Sequence, residues 1–110
     1  MKVDIYFGRS ERNVDTVRSL VDEAIQEANV GSVDVSVITV DSPEEAREKK
    51  MIGSPTIRVN GVDVEYAERE PDETTNGGRY YSTPDGWKPM PSQGMIVRSL
   101  TVQKRREEAK

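Results

Sequence analysis

The sequence predicts an α/β domain in which a mixed four-stranded sheet is flanked by helices. Three observations carry that expectation. Val3, Ile5 and Phe7 alternate with polar neighbours, and after Gly8 the apolar spacing changes to a helical one from Val14. Asp41-Ser42-Pro43-Glu44-Glu45 has the composition of a helix start. Asn60-Gly61 lies between two alternating apolar runs, the composition of a tight hairpin turn.

The elements follow in order. Val3 to Phe7 predicts a strand with one apolar face, ended by Gly8. Val14, Val17, Val21, Ala24 and Ala28 fall on one helical stripe, widened by Leu20 and Ile25. Ser10 or Asn13 can cap that helix, and the turn from Asn29 to Ser32 stops it. Val33 to Val40 is rich in β-branched residues and keeps period two, so it predicts a second strand. Ser42 then serves as N-cap, Pro43 takes the first helical position, and Glu45 completes a capping box. This short helix runs towards Lys50, with Gly53 as its stop.

Pro55 to Val59 and Val62 to Glu65 predict the two arms of the hairpin. Tyr66 to Gly78 is polar and acidic and reads as a loop, the first part of a loop-rich insertion over 66–91. Within it, Arg79-Tyr80-Tyr81 suggests a short strand before a turn at Thr83 to Gly86. The last helix is expected from Ser92 to about Glu108, with Lys104 to Lys110 as a solvated charged tail. The order is β-α-β-α-β-β-α in a single domain over 1–110, its first two strands parallel.

Composition excludes several chemistries. The 110 residues include no cysteine and no histidine. Thiolate nucleophiles, disulfides and zinc sites of the Cys/His kind are therefore ruled out. Histidine general bases and Ser-His-Asp triads are ruled out too. No catalytic residue, cofactor or metal is expected. The formal net charge of −4 argues against general nucleic-acid binding and against docking on anionic membranes. The first seven residues are broken by Asp4 and do not read as a signal peptide, and no apolar run reaches membrane-spanning length. A soluble, cytoplasmic protein is the expectation; the oligomeric state stays open.

The segment Gly53-Ser54-Pro55-Thr56-Ile57-Arg58-Val59-Asn60-Gly61, with the element order, resembles the thioredoxin/glutaredoxin superfamily. The resemblance spans roughly Val3 to Leu100. It is closest to small bacterial and archaeal thioredoxin-like proteins with a Ser-Pro-Thr strand, an Asn-Gly hairpin and a later Tyr-x-Thr-x-Asp-Gly segment, here Tyr81 to Gly86. It implies a thioredoxin-like fold with Pro55 in the cis form, facing the start of the first helix. The family's Cys-x-x-Cys would fall within Gly8 to Val14, where Ser10 and Asn13, or Glu11 and Val14, have the required separation. Neither pair carries a thiol, so the family's redox activity does not transfer.

The binding surface so implied comprises Arg9, Ser10, Glu11, Arg12, Asn13, Ser54, Pro55 and Thr56. It supports two expectations. A protein or peptide partner would use a strand edge left open by Pro55. Alternatively, the chain would be a small-molecule binder or an enzyme that takes a small anionic ligand resembling glutathione at the first helix's N-terminus, beside Arg9 and Arg12. Absence of thiols is equally compatible with natural loss and with an engineered cysteine-free protein. Glu65, Glu68, Glu70, Asp72 and Glu73 form an acidic cluster that reads as solvated loop rather than a cation site. Tyr80, Tyr81 and Trp87 either pin the late segment to the core or form a partner surface.

Overall fold

A computed structural model of the chain describes residues 1–109. Its elements are β1 (Lys2–Gly8), α1 (Val14–Ala28), β2 (Asp34–Val40), α2 (Pro43–Lys49), β3 (Ile52–Ser54), β4 (Thr56–Val59), β5 (Val62–Asp63), β6 (Thr75–Gly78), β7 (Tyr81–Thr83), β8 (Gly86–Lys88) and α3 (Gln93–Glu108). The fold is mixed α/β. A four-stranded sheet has the order β2-β1-β4-β5. β1 and β2 run parallel, whereas β1–β4 and β4–β5 are antiparallel.

Alternation along β1 sets the two layers. Val3, Ile5 and Phe7 pack with Val17, Val21 and Ala24 of α1, with Ile57 and Val59 of β4, and with Ile96 and Leu100 of α3. Tyr6, from the opposite face, joins Ile38 beside Val40, Ala46 and Met51, where α2 covers the sheet. Helices thus bury both faces, which is what fixes the register of a sheet with period-two side chains.

Local signals explain most boundaries. Ser42 Oγ accepts from the Glu45 N–H at 3.1 Å, and Pro43 opens α2. Ser92 Oγ accepts from Met95 N–H at 3.3 Å and caps α3. Asn60 and Gly61 both have positive φ, as the β4–β5 turn requires.

Other expectations are corrected. α2 ends at Lys50 in a left-handed conformation, not at Gly53. The Val62 to Glu65 strand is cut to Val62–Asp63, because the Asp63 carboxylate accepts from the N–H groups of Glu65 and Tyr66 and turns the chain. The segment expected as loop contains β6, which pairs parallel with β3. β7 and β8 form a further hairpin where a single short strand was expected. The chain therefore has more strands than the sequence pattern implies, in two small sheets beside the main one. The last helix, by contrast, keeps its expected reach through Glu108, with the charged residues from Lys104 at its end; Arg106 pairs with Glu68, and Lys110 lies outside the described residues. Among the described residues no helix is long and apolar enough to cross a membrane.

Candidate functional site

The Ser54–Pro55 peptide bond is cis. It joins β3 to β4 directly in front of the end of β1. There the Gly8 N–H donates to Ser54 Oγ at 2.8 Å, and the Ser54 hydroxyl donates to Glu11 Oε1 at 2.7 Å. The second oxygen of the same carboxylate, Glu11 Oε2, accepts from the Asn13 N–H at 3.1 Å. Asn13 is the N-cap of α1, but its side chain makes no capping bond. Glu11 does not replace that cap but accepts from the N–H of the N-cap residue itself, one of the groups that a helix start leaves free. One carboxylate therefore ties the start of α1 to the residue before Pro55.

Two glycines make this closeness possible. A Cβ at Gly8 would collide with the Asn76 carbonyl oxygen of β6. Gly53 has φ of +116° and faces the Arg79 side chain, so a larger residue there is excluded both by conformation and by space.

Behind Pro55 the support is polar and buried. Tyr81 donates its hydroxyl to the Pro55 carbonyl. Thr56, fully buried, donates to the Gly53 carbonyl and accepts from Ile52 N–H. Arg79 is also buried and makes a two-pronged contact with Asp63, at 2.8 Å for each nitrogen, and a third with Glu65 at 3.3 Å. Its guanidinium lies 4.0 Å from the centre of the Tyr81 ring and 4.9 Å from that of Tyr66. Burial works against the Arg79 charge, but the hydrogen bonds and charge of Asp63 outweigh it and hold the pKa above the ordinary arginine value. Burial pushes the Tyr81 phenol well above its ordinary range, with Arg79 pulling the other way. Arg79 and Tyr81 thus form a charged, stacked brace under the cis-proline turn. The Arg79 role is not legible locally, since its partner lies 16 residues away.

A cleft of about 430 Å³ opens in front of this turn. Ser10, Glu11, Arg12 and Asn13 form one wall, and Ser54 lies in the lining with Gly8. Asn76, Gly78, Arg79, Tyr80 and Pro89 contribute the other side. Five of the eight expected surface residues, Ser10 to Asn13 and Ser54, therefore converge there. Arg9 is exposed but outside the lining, and Pro55 and Thr56 are buried beneath it.

The expected open strand edge at Pro55 is not found. β6 pairs with β3, and the Ser54 carbonyl accepts from Arg79 N–H at 3.0 Å. The chain supplies its own strand where a partner's backbone would have docked. At the helix start the Asn13 N–H is taken by Glu11.

The late aromatics divide by role. Tyr81 is fully buried, whereas Tyr80 is 65% exposed at the cleft and Trp87 is 71% exposed on β8. Tyr81 therefore pins the late segment to the core, whereas Tyr80 and Trp87 do not. The acidic cluster is largely consumed in ion pairs: Glu65 with Arg79, Glu68 with Arg106, and Glu70 with Arg58. Among the described residues no group of acidic side chains is placed to hold a metal ion.

Comparison with protein-family models, with curated proteins and with solved structures found no match.

Proposed function

We propose that the chain is a redox-inactive binding module of thioredoxin-like fold, and that a short peptide segment of a partner protein occupies the cleft in front of Ser54. The fold reading is supported by the mixed sheet β2-β1-β4-β5 with helices on both faces and by the cis Ser54–Pro55 bond facing the start of α1. β3, β6, β7 and β8 are additions to that pattern. A chain without cysteine cannot carry out thiol–disulfide turnover with its own side chains.

One observation carries the binding reading: Ser10 to Asn13 and Ser54, distant in sequence, line one cleft together with the exposed ring of Tyr80. Arg12 and Asn13 offer donors, while Tyr80 and Pro89 offer flat apolar surface, the mixture that peptide-binding clefts use. The anion reading is less well supported, because the Glu11 carboxylate already stands in the cleft at the approach to α1 and would repel a ligand carboxylate or phosphate.

Selection of random-sequence peptides on the immobilised chain tests the proposal. Recovered peptides should bind at least about tenfold more weakly to Arg12→Ala and to Tyr80→Ala. Peptides that bind both variants as well as the parent chain would overturn it.

A further inference from the structure

The four-stranded sheet has two edge strands. One is β5, only two residues long. The other is β2, seven residues long, whose one strand neighbour among the described residues is β1; at its end the Val40 carbonyl also accepts from the Asn76 side chain at 3.4 Å. Long free edges are usually protected by lysine, proline or a bulge. Asp34–Val40 has none of these, and its register with β1 is unbroken. Its one charge, Asp34, stands at the start of the strand and is held by Lys2 Nζ at 3.3 Å.

The direction of the backbone groups is fixed by one bond. Asp34 N–H donates inward to the Met1 carbonyl. Backbone groups alternate sides along a strand, so Ser36, Ile38 and Val40 also face β1. Val35, Val37 and Thr39 then present every N–H and C=O outward, away from the sheet. Val37 is the middle residue of β2 and is 40% exposed.

We propose that β2 is a self-association surface, on which two copies of the chain pair β2 antiparallel about a two-fold axis at Val37. That register pairs Val37 with its own copy and Val35 with Thr39 of the second copy. These are the outward-facing residues, so each falls in a hydrogen-bonded pair and no outward group is wasted. It also uses the strand from end to end. Asp34 meets Val40 of the second copy, so no like charges stand opposite one another. Two exposed valines cover each other at the axis. The contact is isologous, as a closed dimer requires, and continues the sheet across both copies. The proposal is independent of what the cleft binds.

Sedimentation and light scattering over a concentration series test it. The mass should rise from the 12.3 kDa of one chain to twice that value. Val37→Pro should remain monomeric at every concentration with an unchanged circular dichroism spectrum, because the N–H it removes serves no bond within the chain. The absence of native cysteine permits an independent test of register. On mild oxidation Val37→Cys should give a disulfide-linked dimer, since paired Cα atoms stand about 5.5 Å apart. Val35→Cys alone should not cross-link, but should do so when mixed with Thr39→Cys. A parent chain monomeric throughout, a Val37→Pro protein that still dimerises, or cross-linking of Val35→Cys by itself would each overturn the proposal.

Discussion

The Ser54 hydroxyl donates to the Glu11 carboxylate across 2.7 Å, coupling the residue before the cis-proline to the segment that leads into α1. The contact spans 43 positions of sequence and sits at the mouth of the cleft. It holds Glu11 where it can also accept from Asn13 N–H.

Ser54→Ala removes the acceptor of the buried Gly8 N–H and the donor to Glu11 together. Leaving a buried donor unpaired costs about 1–3 kcal/mol, so the unfolding free energy should fall by that amount in denaturant titration. Glu11→Gln keeps an oxygen that can accept and should cost less. Equal losses from both variants would show that the bridge does not hold the site as described.

Arg79 and Asp63 are buried together, with side chains 3% and 0% exposed. Removing one partner of such a pair leaves an uncompensated charge and costs about 3–5 kcal/mol. Asp63→Leu and Arg79→Met should each be severely destabilised. The double variant should lose much less than the sum of the two, a coupling readable by a double-mutant cycle. Additive losses would remove the pair from the account.

These two relationships mark where sequence reading stops. β1, β2, the start of α2 and the Asn60-Gly61 turn were legible because periodicity, capping and turn chemistry are local. β6 was not. Thr75-Asn76-Gly77-Gly78 has no apolar alternation and is a strand only because β3 lies beside it. The same strand closes the Pro55 edge, which is why the sequence suggested an open one. At the site, Ser10 to Asn13 and Ser54 were reachable through the family resemblance. Asn76, Gly78 and Pro89 carried no signal, since only the return of the 75–89 segment brings them to the cleft. Tyr80 and Tyr81 looked alike in sequence, but Tyr81 opens β7 with its ring in the core, whereas Tyr80 lies just before the strand and is exposed at the cleft.

Tyr81 gives the fold an alkaline limit. Its phenol is harder to ionise in the folded chain than in the unfolded one, where the ordinary value is about 10. The stabilisation is complete below about pH 10 and is lost as the pH rises further, because the unfolded chain then releases a proton that the folded chain retains. Tyr81→Phe should lose about 1 kcal/mol at neutral pH through the missing bond to the Pro55 carbonyl. It should also show a shallower decline in stability above about pH 10. Parallel declines for the two proteins would contradict this assignment.

Glu11 at the helix start leads to a negative expectation for anions. Phosphate, sulfate and glutathione should not raise the melting temperature of the parent chain. A rise that disappears in Arg12→Ala would place the anionic-ligand reading ahead of the peptide reading.

Backbone amide NMR during titration with a peptide recovered by selection tests the cleft most directly. The account predicts saturable shifts concentrated at Ser10 to Asn13, Ser54, Asn76, Gly78 and Tyr80, with little change along α3 or β5. Shifts centred away from these residues, on α3 or on the free edge of β2, would contradict it.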